Sequence, residues 1–280
     1  MGLNQELSRR AALLGALVAG ACAASRVAGI ESRGTVAVDG LAVAYRRRDG
    51  ARPVVVFDSG LGDGLDVWDA TLALLPQDRA FFAYSRPGYG ESAPLAALAV
   101  ARTAEQAARH LHAVLGAAMV RRPFVLVGHS LGGLHIAKFA ELFPREVAGL
   151  VFVDGRPPTF RAACDWANLS LCSAVGQAPA PENWPQHIRS EIAGIGASED
   201  AAPASQAIAS FPATVITSTT PWPGERGDQA FSLWLSAQEA FAGSFHNHRF
   251  VRAEGAGHYV QREQPDLVAK EIEALIARLH

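Results

Sequence analysis

The chain has 280 residues, 49% of them hydrophobic, which is enough apolar side chain for a large buried core. Charged residues make up 19% and the formal net charge is −2, so no basic field draws nucleic acid or an anionic lipid surface. The sequence contains no heptad pattern, repeat period or Walker-type phosphate loop.

The first stretch, MGLNQELSRRAALLGALVAGACAAS, sets a basic region before an apolar run from Ala11 to Ala24, with small residues at its end. That is the layout of an export signal over residues 1–24, and the apolar run is short for a bilayer span. Arg9 and Arg10 stand side by side, which resembles a twin-arginine signal. An ordinary secretory signal or an uncleaved anchor is the alternative. Cys22 has Ala19 three positions before it, a poor match to a lipoprotein acceptor. The expectation is an exported chain, periplasmic or secreted, with no membrane role once mature. Export leaves Cys164 and Cys172, eight residues apart in an expected loop region. An oxidising compartment favours a disulfide there over two buried thiols. Two thiols are too few for a zinc site, and no metal is expected.

GTVAVDGLAVAY reads as two short strands about Asp39-Gly40, a strong hairpin signal. PVVVFDSG and AFFAYS are continuous apolar runs, as strands buried on both faces require. RTAEQAARHLHAVLGAA predicts a helix, with Thr103 and Gln106 at capping-box spacing and an apolar stripe of Leu111, Val114 and Leu115. FVLVGHS is a strand, GLHIAKFAELF a helix stopped by Pro144, and GLVFVDG, ATVITST and HRFVRAEG are further strands. PDLVAKEIEALIARL closes the chain as an amphipathic helix with Pro265 near its first turn. Eight strands interleaved with helices predict an α/β fold, a mostly parallel sheet with helices on both faces. Residues 155–212 break the rhythm: they hold no convincing long strand, many Pro, Ala and Ser, two tryptophans (Trp166 and Trp184) and both cysteines. The segment is too long for a simple connection and is expected to form a partly helical cap inserted between core parts 34–154 and 213–280.

Gly128-His129-Ser130-Leu131-Gly132 fits G-x-S-x-G, with a strand before it and a helix after it. A serine in a sharp strand-to-helix turn needs neighbours without Cβ atoms. The turn lifts Oγ off the sheet and aims the helix N-terminus at it, so the Leu131 N–H can face an oxyanion. With FDSGLGDGLDVW, YSRPGYGES and GAGHYVQREQPDLV, the sequence resembles the α/β-hydrolase fold family over about residues 34–280. Two departures stand out: Ser59-Gly60 replaces a frequent His-Gly, and Ser85 sits where an aspartate is common.

The resemblance implies a triad in the chain order nucleophile, acid, histidine. It implies His258 as base, between the last strand and the last helix, and Leu61 as the second oxyanion N–H. The other histidines have plainer readings: His110, His112 and His135 fall in helices, His246 and His248 form a weak H-x-H, and His129 supports the turn. The acid stays open. Most members carry it after the strand ATVITST, where Asp228 and Glu225 are available. Some haloalkane dehalogenases and related hydrolases carry it one strand earlier, where Asp154 ends LVFVD. Asp154 is favoured, with a purely structural aspartate as its plain alternative.

A serine with an oxyanion hole performs acyl transfer and needs no cofactor. Dehalogenases and epoxide hydrolases of this family use an aspartate nucleophile, which Ser130 argues against. The expected reaction is carboxylesterase-like cleavage of a small to medium hydrophobic ester. Trp166, Leu169, Leu171, Trp184 and Ile188 of the insertion are available to line an apolar pocket, although packing is the preferred reading for most of them. Lactonase, thioesterase, amidase and acyltransferase chemistry are alternatives, as is a small-molecule receptor that retains the triad.

Overall fold

A computed structural model describes residues 28–94, 101–169, 172, 180–203 and 205–279. The expected export signal, residues 1–24, and Leu171 lie outside the described residues. Among the described residues no helix is long and apolar enough to cross a membrane.

The strands are β1 (Glu31–Val38), β2 (Leu41–Arg48), β3 (Ala51–Asp58), β4 (Arg79–Tyr84), β5 (Phe124–His129), β6 (Val147–Val153), β7 (Ala213–Ser218) and β8 (His248–Ala253). The helices are α1 (Asp69–Leu74), α2 (Ala104–Ala117), α3 (Leu131–Leu142), α4 (Phe160–Trp166), α5 (Gln186–Asp200), α6 (Ser205–Ile208), α7 (Gly227–Gly243), α8 (Val260–Glu263) and α9 (Pro265–Ala277). All eight strands form one sheet in the order β1-β2-β4-β3-β5-β6-β7-β8. Only β2 runs antiparallel to its neighbours, β1 and β4. The first turn is tight because Asp39 and Gly40 both take positive φ, 50° and 77°.

Alternation along each strand divides the core. Val54, Val56, Phe82, Leu126 and Phe152 face α2 and α3, whose Leu111, Val114, Ile136 and Phe139 complete that layer. Val55, Phe57, Val125, Val127, Val151 and Ile216 face α1 and α9, through Leu72, Val268, Ile272 and Leu275. Burial on both faces is why these strands read as unbroken apolar runs. The capping box of α2 is present: the Thr103 hydroxyl accepts from the Gln106 N–H at 3.4 Å, and the Thr103 N–H donates to Gln106 Oε1 at 2.9 Å.

Among the described residues α1, α7 and the short α8 escape the sequence reading. α1 is short, and α7 carries apolar residues on more than one side because it packs on the sheet as well as on α4. Phe160, Cys164, Leu169 and Cys172 meet Ala230, Phe231, Trp234 and Ala237 there. Within residues 155–212, α4, α5 and α6 supply helix. α5 lies against the start of α2: the Arg102 N–H donates to Ser190 C=O at 2.9 Å, and the Ala104 N–H donates to Ser198 Oγ at 2.8 Å. Gly194 permits that approach, since a Cβ there would meet Arg102 O at 2.0 Å. Trp166 is 90% exposed, so it packs nothing and lines no closed pocket, whereas Leu169 is buried.

Cys164 and Cys172 form a disulfide that closes a short loop at the end of α4. A loop of this length should contribute about 2–3 kcal/mol through the unfolded state. Paired Cys164→Ser and Cys172→Ser substitutions are expected to lower the thermal midpoint by several degrees, and a reductant should shift the native protein likewise but not the double variant.

Candidate active site

β5 ends at His129, and the chain reverses into α3 through Ser130, whose φ and ψ are 50° and −118°. A non-glycine residue in this region carries local strain of about 1–3 kcal/mol. The surroundings enforce it. A Cβ on Gly128 would lie 2.5 Å from Gly132 O, one on Gly132 would lie 2.4 Å from Asp58 O, and one on Gly133 would lie 3.0 Å from Gly155 Cα. Helix, turn and strands touch backbone to backbone. The Ser130 N–H donates to Val153 O at 3.3 Å, and Ser130 O accepts from the N–H groups of Gly133 at 2.9 Å and Arg156 at 2.8 Å.

His258, in the loop after β8, reaches Ser130 Oγ through Nε2 at 2.9 Å and Asp154 Oδ2 through Nδ1 at 2.7 Å. Of the three carboxylates weighed from the sequence, the fold brings Asp154 to the imidazole, while Asp228 and Glu225 stand exposed at the start of α7 and just before it. Asp154 is wholly buried, itself at positive φ (42°). Its Oδ1 accepts from the Ser218 N–H and the Trp234 indole N–H, both at 2.9 Å, and from Thr217 Oγ1 at 3.3 Å. Its Oδ2 accepts from Ser218 Oγ at 3.0 Å besides His258. Burial pushes this carboxyl up. The His258 N–H, the Ser218 amide and the Trp234 indole outweigh burial and hold it below the ordinary aspartate value of 3.8. An ionised Asp154 can only accept, so Nδ1 of His258 carries the proton and Nε2 is bare toward the serine hydroxyl.

The loop after β3 runs beside the serine, and a Cβ on Gly60 would sit 3.2 Å from Ser130 Cβ and 2.7 Å from His129 Nδ1. Leu61 follows at this point, and Leu131 opens α3, so both N–H groups belong to backbone adjoining the serine. The backbone N–H groups of Leu61 and Leu131 take part in no other hydrogen bond among the described residues. His129 is buried beneath, with Nε2 donating to the backbone carbonyl of His258 at 2.9 Å. Burial and the neighbouring His258 push the His129 imidazole down to about 3, so it is neutral and fixes the His258 backbone without charge. His135 is also engaged: its Nδ1 meets Asp58 Oδ1 at 3.1 Å. His248 Nδ1 bonds to Phe245 O at 2.8 Å, and among the described residues no cluster of three or more metal-ligating side chains occurs.

Trp234, Ser218 and Thr217 around Asp154, and a buried set of Asp58, Arg86 and Glu191, were not anticipated from the sequence. Arg86 lies in YSRPGYGES, a stretch already marked by the family resemblance, and its burial was the missing signal.

The same arrangement of sheet and helices is found in solved structures. A thermophilic esterase from Thermogutta terrifontis superposes with a TM-score of 0.62 at 20% identity, covering 89% of this chain and 99% of that one. A putative epoxide hydrolase variant from Pseudomonas aeruginosa gives 0.66 at 17% identity, covering 89% and 97%. A family model described as the alpha/beta hydrolase fold matches residues 53–191. The chain belongs to the α/β-hydrolase fold family. Among curated relatives, this α/β hydrolase is 31% identical to the uncharacterized protein YqjL of Bacillus subtilis over 121 residues, 43% of this chain and 47% of that protein. It is 38% identical to a putative carbamate hydrolase, RutD, of Escherichia coli over 103 residues, 37% of this chain and 36% of that protein. The chain thus spans less than half the length of these curated relatives.

Trp234→Phe removes one donor from the buried Asp154 carboxylate and should cost about 1.5–3 kcal/mol at pH 7. The lowered carboxyl contributes stability that is present above the unfolded value near 3.8 and is lost as pH falls through its folded value. The gap in thermal midpoint between wild type and Trp234→Phe should therefore narrow between pH 7 and pH 3.

Proposed function

We propose that this α/β hydrolase is a serine hydrolase that cleaves a small to medium hydrophobic carboxylic ester through an acyl-enzyme. The observation that carries the reading is the linear relay from Ser130 Oγ to His258 Nε2 (2.9 Å) and from His258 Nδ1 to Asp154 Oδ2 (2.7 Å). Ser130 is the nucleophile, His258 the general base and acid, and Asp154 the group that orients the imidazole and stabilises its cation. As Oγ attacks the carbonyl carbon, its proton passes to His258 Nε2. The carbonyl oxygen becomes an oxyanion facing the N–H groups of Leu61 and Leu131. The imidazolium then returns the proton to the leaving alcohol, and water attacks the acyl-enzyme by the same route in reverse.

The similarity to a putative carbamate hydrolase supports a second substrate class, since a carbamate carbonyl undergoes the same attack. The Cys164–Cys172 disulfide supports export, with residues 1–24 as the signal and a mature chain from about Ser25. In this reading residues 155–212 cover the site as a cap.

Steady-state hydrolysis of a chain-length series of chromogenic esters tests the proposal. Turnover is expected for short acyl chains, with kcat about 10⁴-fold lower or more in Ser130→Ala and about 10⁴-fold lower in Asp154→Asn. Equal rates in wild type and Ser130→Ala on esters and carbamates alike would overturn it.

A further inference from the structure

The peptide between Gly60 and Leu61 carries two groups that matter in opposite directions. Its N–H belongs to Leu61, the proposed oxyanion donor. Its C=O belongs to Gly60 and points the other way, because a trans peptide is planar. Whatever holds that carbonyl therefore aims the N–H. Arg86 holds it, with Nη2 donating to Gly60 O at 2.7 Å. Nη1 donates to the preceding carbonyl, Ser59 O, at 2.6 Å and to Asp58 Oδ1 at 2.9 Å. The remaining donors, from Nε and Nη2, go to the Glu191 carboxylate at 2.7 and 3.0 Å. Arg86 thus directs its planar fork entirely to protein acceptors, and both it and Glu191 are 1% exposed.

A second line runs to the same carboxylate. The Tyr89 hydroxyl donates to Glu191 Oε2 at 2.7 Å and accepts from the Gly62 N–H at 3.3 Å. The peptides on both sides of Leu61 are therefore tied, through Arg86 and Tyr89, to one acid on α5. That helix belongs to the segment inserted between β6 and β7, not to the β3 loop it restrains.

We propose that Glu191, carried on α5, is a positioning residue for the oxyanion peptide, acting through Arg86 and Tyr89. The proposal rests on the serine-hydrolase reading. With the Glu191 charge removed, as in a glutamine, one of the two oxygens becomes an NH2 that cannot accept, so a buried guanidinium donor loses its acceptor and Arg86 turns from Gly60 toward other partners. A cation on the C=O also polarises the amide, so the Leu61 N–H becomes a weaker donor when Arg86 leaves.

The test compares the full-length protein with Glu191→Gln, Tyr89→Phe and Ser198→Ala. Ser198 joins α5 to the start of α2 without touching Arg86, so its variant reports the loss of one packing hydrogen bond with the Glu191 carboxylate kept. Two quantities are read: kcat and KM for a short chromogenic ester, and the inhibition constant of an alkyl trifluoromethyl ketone, which adds to the serine as a hemiketal oxyanion. Glu191→Gln should lose about 10- to 100-fold in kcat with KM within about twofold, since removing one oxyanion donor outright costs about 10²- to 10³-fold. The ketone should weaken in proportion to kcat/KM. Tyr89→Phe should show the same proportionality at smaller size, and it carries the test if Glu191→Gln does not fold. Ser198→Ala should lower the thermal midpoint and leave both quantities unchanged. Unchanged ketone affinity in a folded Glu191→Gln or Tyr89→Phe, beside an active wild type, overturns the proposal and leaves the hydrolase reading intact. A wild type that neither turns over ester nor binds the ketone removes both.

Discussion

The close approach of α3 to the strands beneath it is the constraint on which the site depends. Gly128, Gly132 and Gly133 bring helix and strand backbones to distances that no Cβ tolerates. That contact forces Ser130 into its left-handed conformation and aims the first turn of α3 at the same point as its side chain. The apolar layers on both faces supply the energy that holds the turn in place, so local strain and global packing are coupled. The carboxyl ends of β3, β5, β6 and β7 then bring Asp58, Ser130, Asp154 and Ser218 to one edge of the sheet.

Around that edge, two fully buried charges are saturated with partners. Asp154 sits among hydrogen-bond donors from two strands and α7, and Arg86 sits among acceptors from the β3 loop and α5. Desolvating either group alone would be prohibitive, and removing the charged partner from a buried ion pair typically costs about 3–5 kcal/mol. The return is rigidity. One set fixes the tautomer of His258, the other the direction of a backbone amide, and neither must reorganise when charge develops nearby.

Ser130 was legible because its constraint is local: five consecutive residues between a strand and a helix contain the whole steric argument. The alternating sheet and the capped α2 were legible for the same reason. Asp154 was legible only as one of three, since choosing between strand ends requires knowing which loop bends toward His258. The donors Trp234 and Ser218 lie 80 and 64 residues from Asp154, and no periodicity links them. α7 was missed because it packs on the sheet and on α4, so its apolar positions do not form one stripe. Glu191 carried no signal in the sequence, since its burial depends on Arg86, 105 residues earlier.

Ser130 and His258 are 128 residues apart, and His258 and Asp154 104. During synthesis β5, the turn and α3 are complete long before β8 and the His258 loop leave the ribosome. Closing contacts across such intervals is entropically costly and comes late. A chain shortened before β8 would lose both the His258 imidazole and α9, which completes the apolar layer that helps hold the turn, so in the proposed hydrolase the capacity for chemistry arrives with the last elements and marks the end of folding.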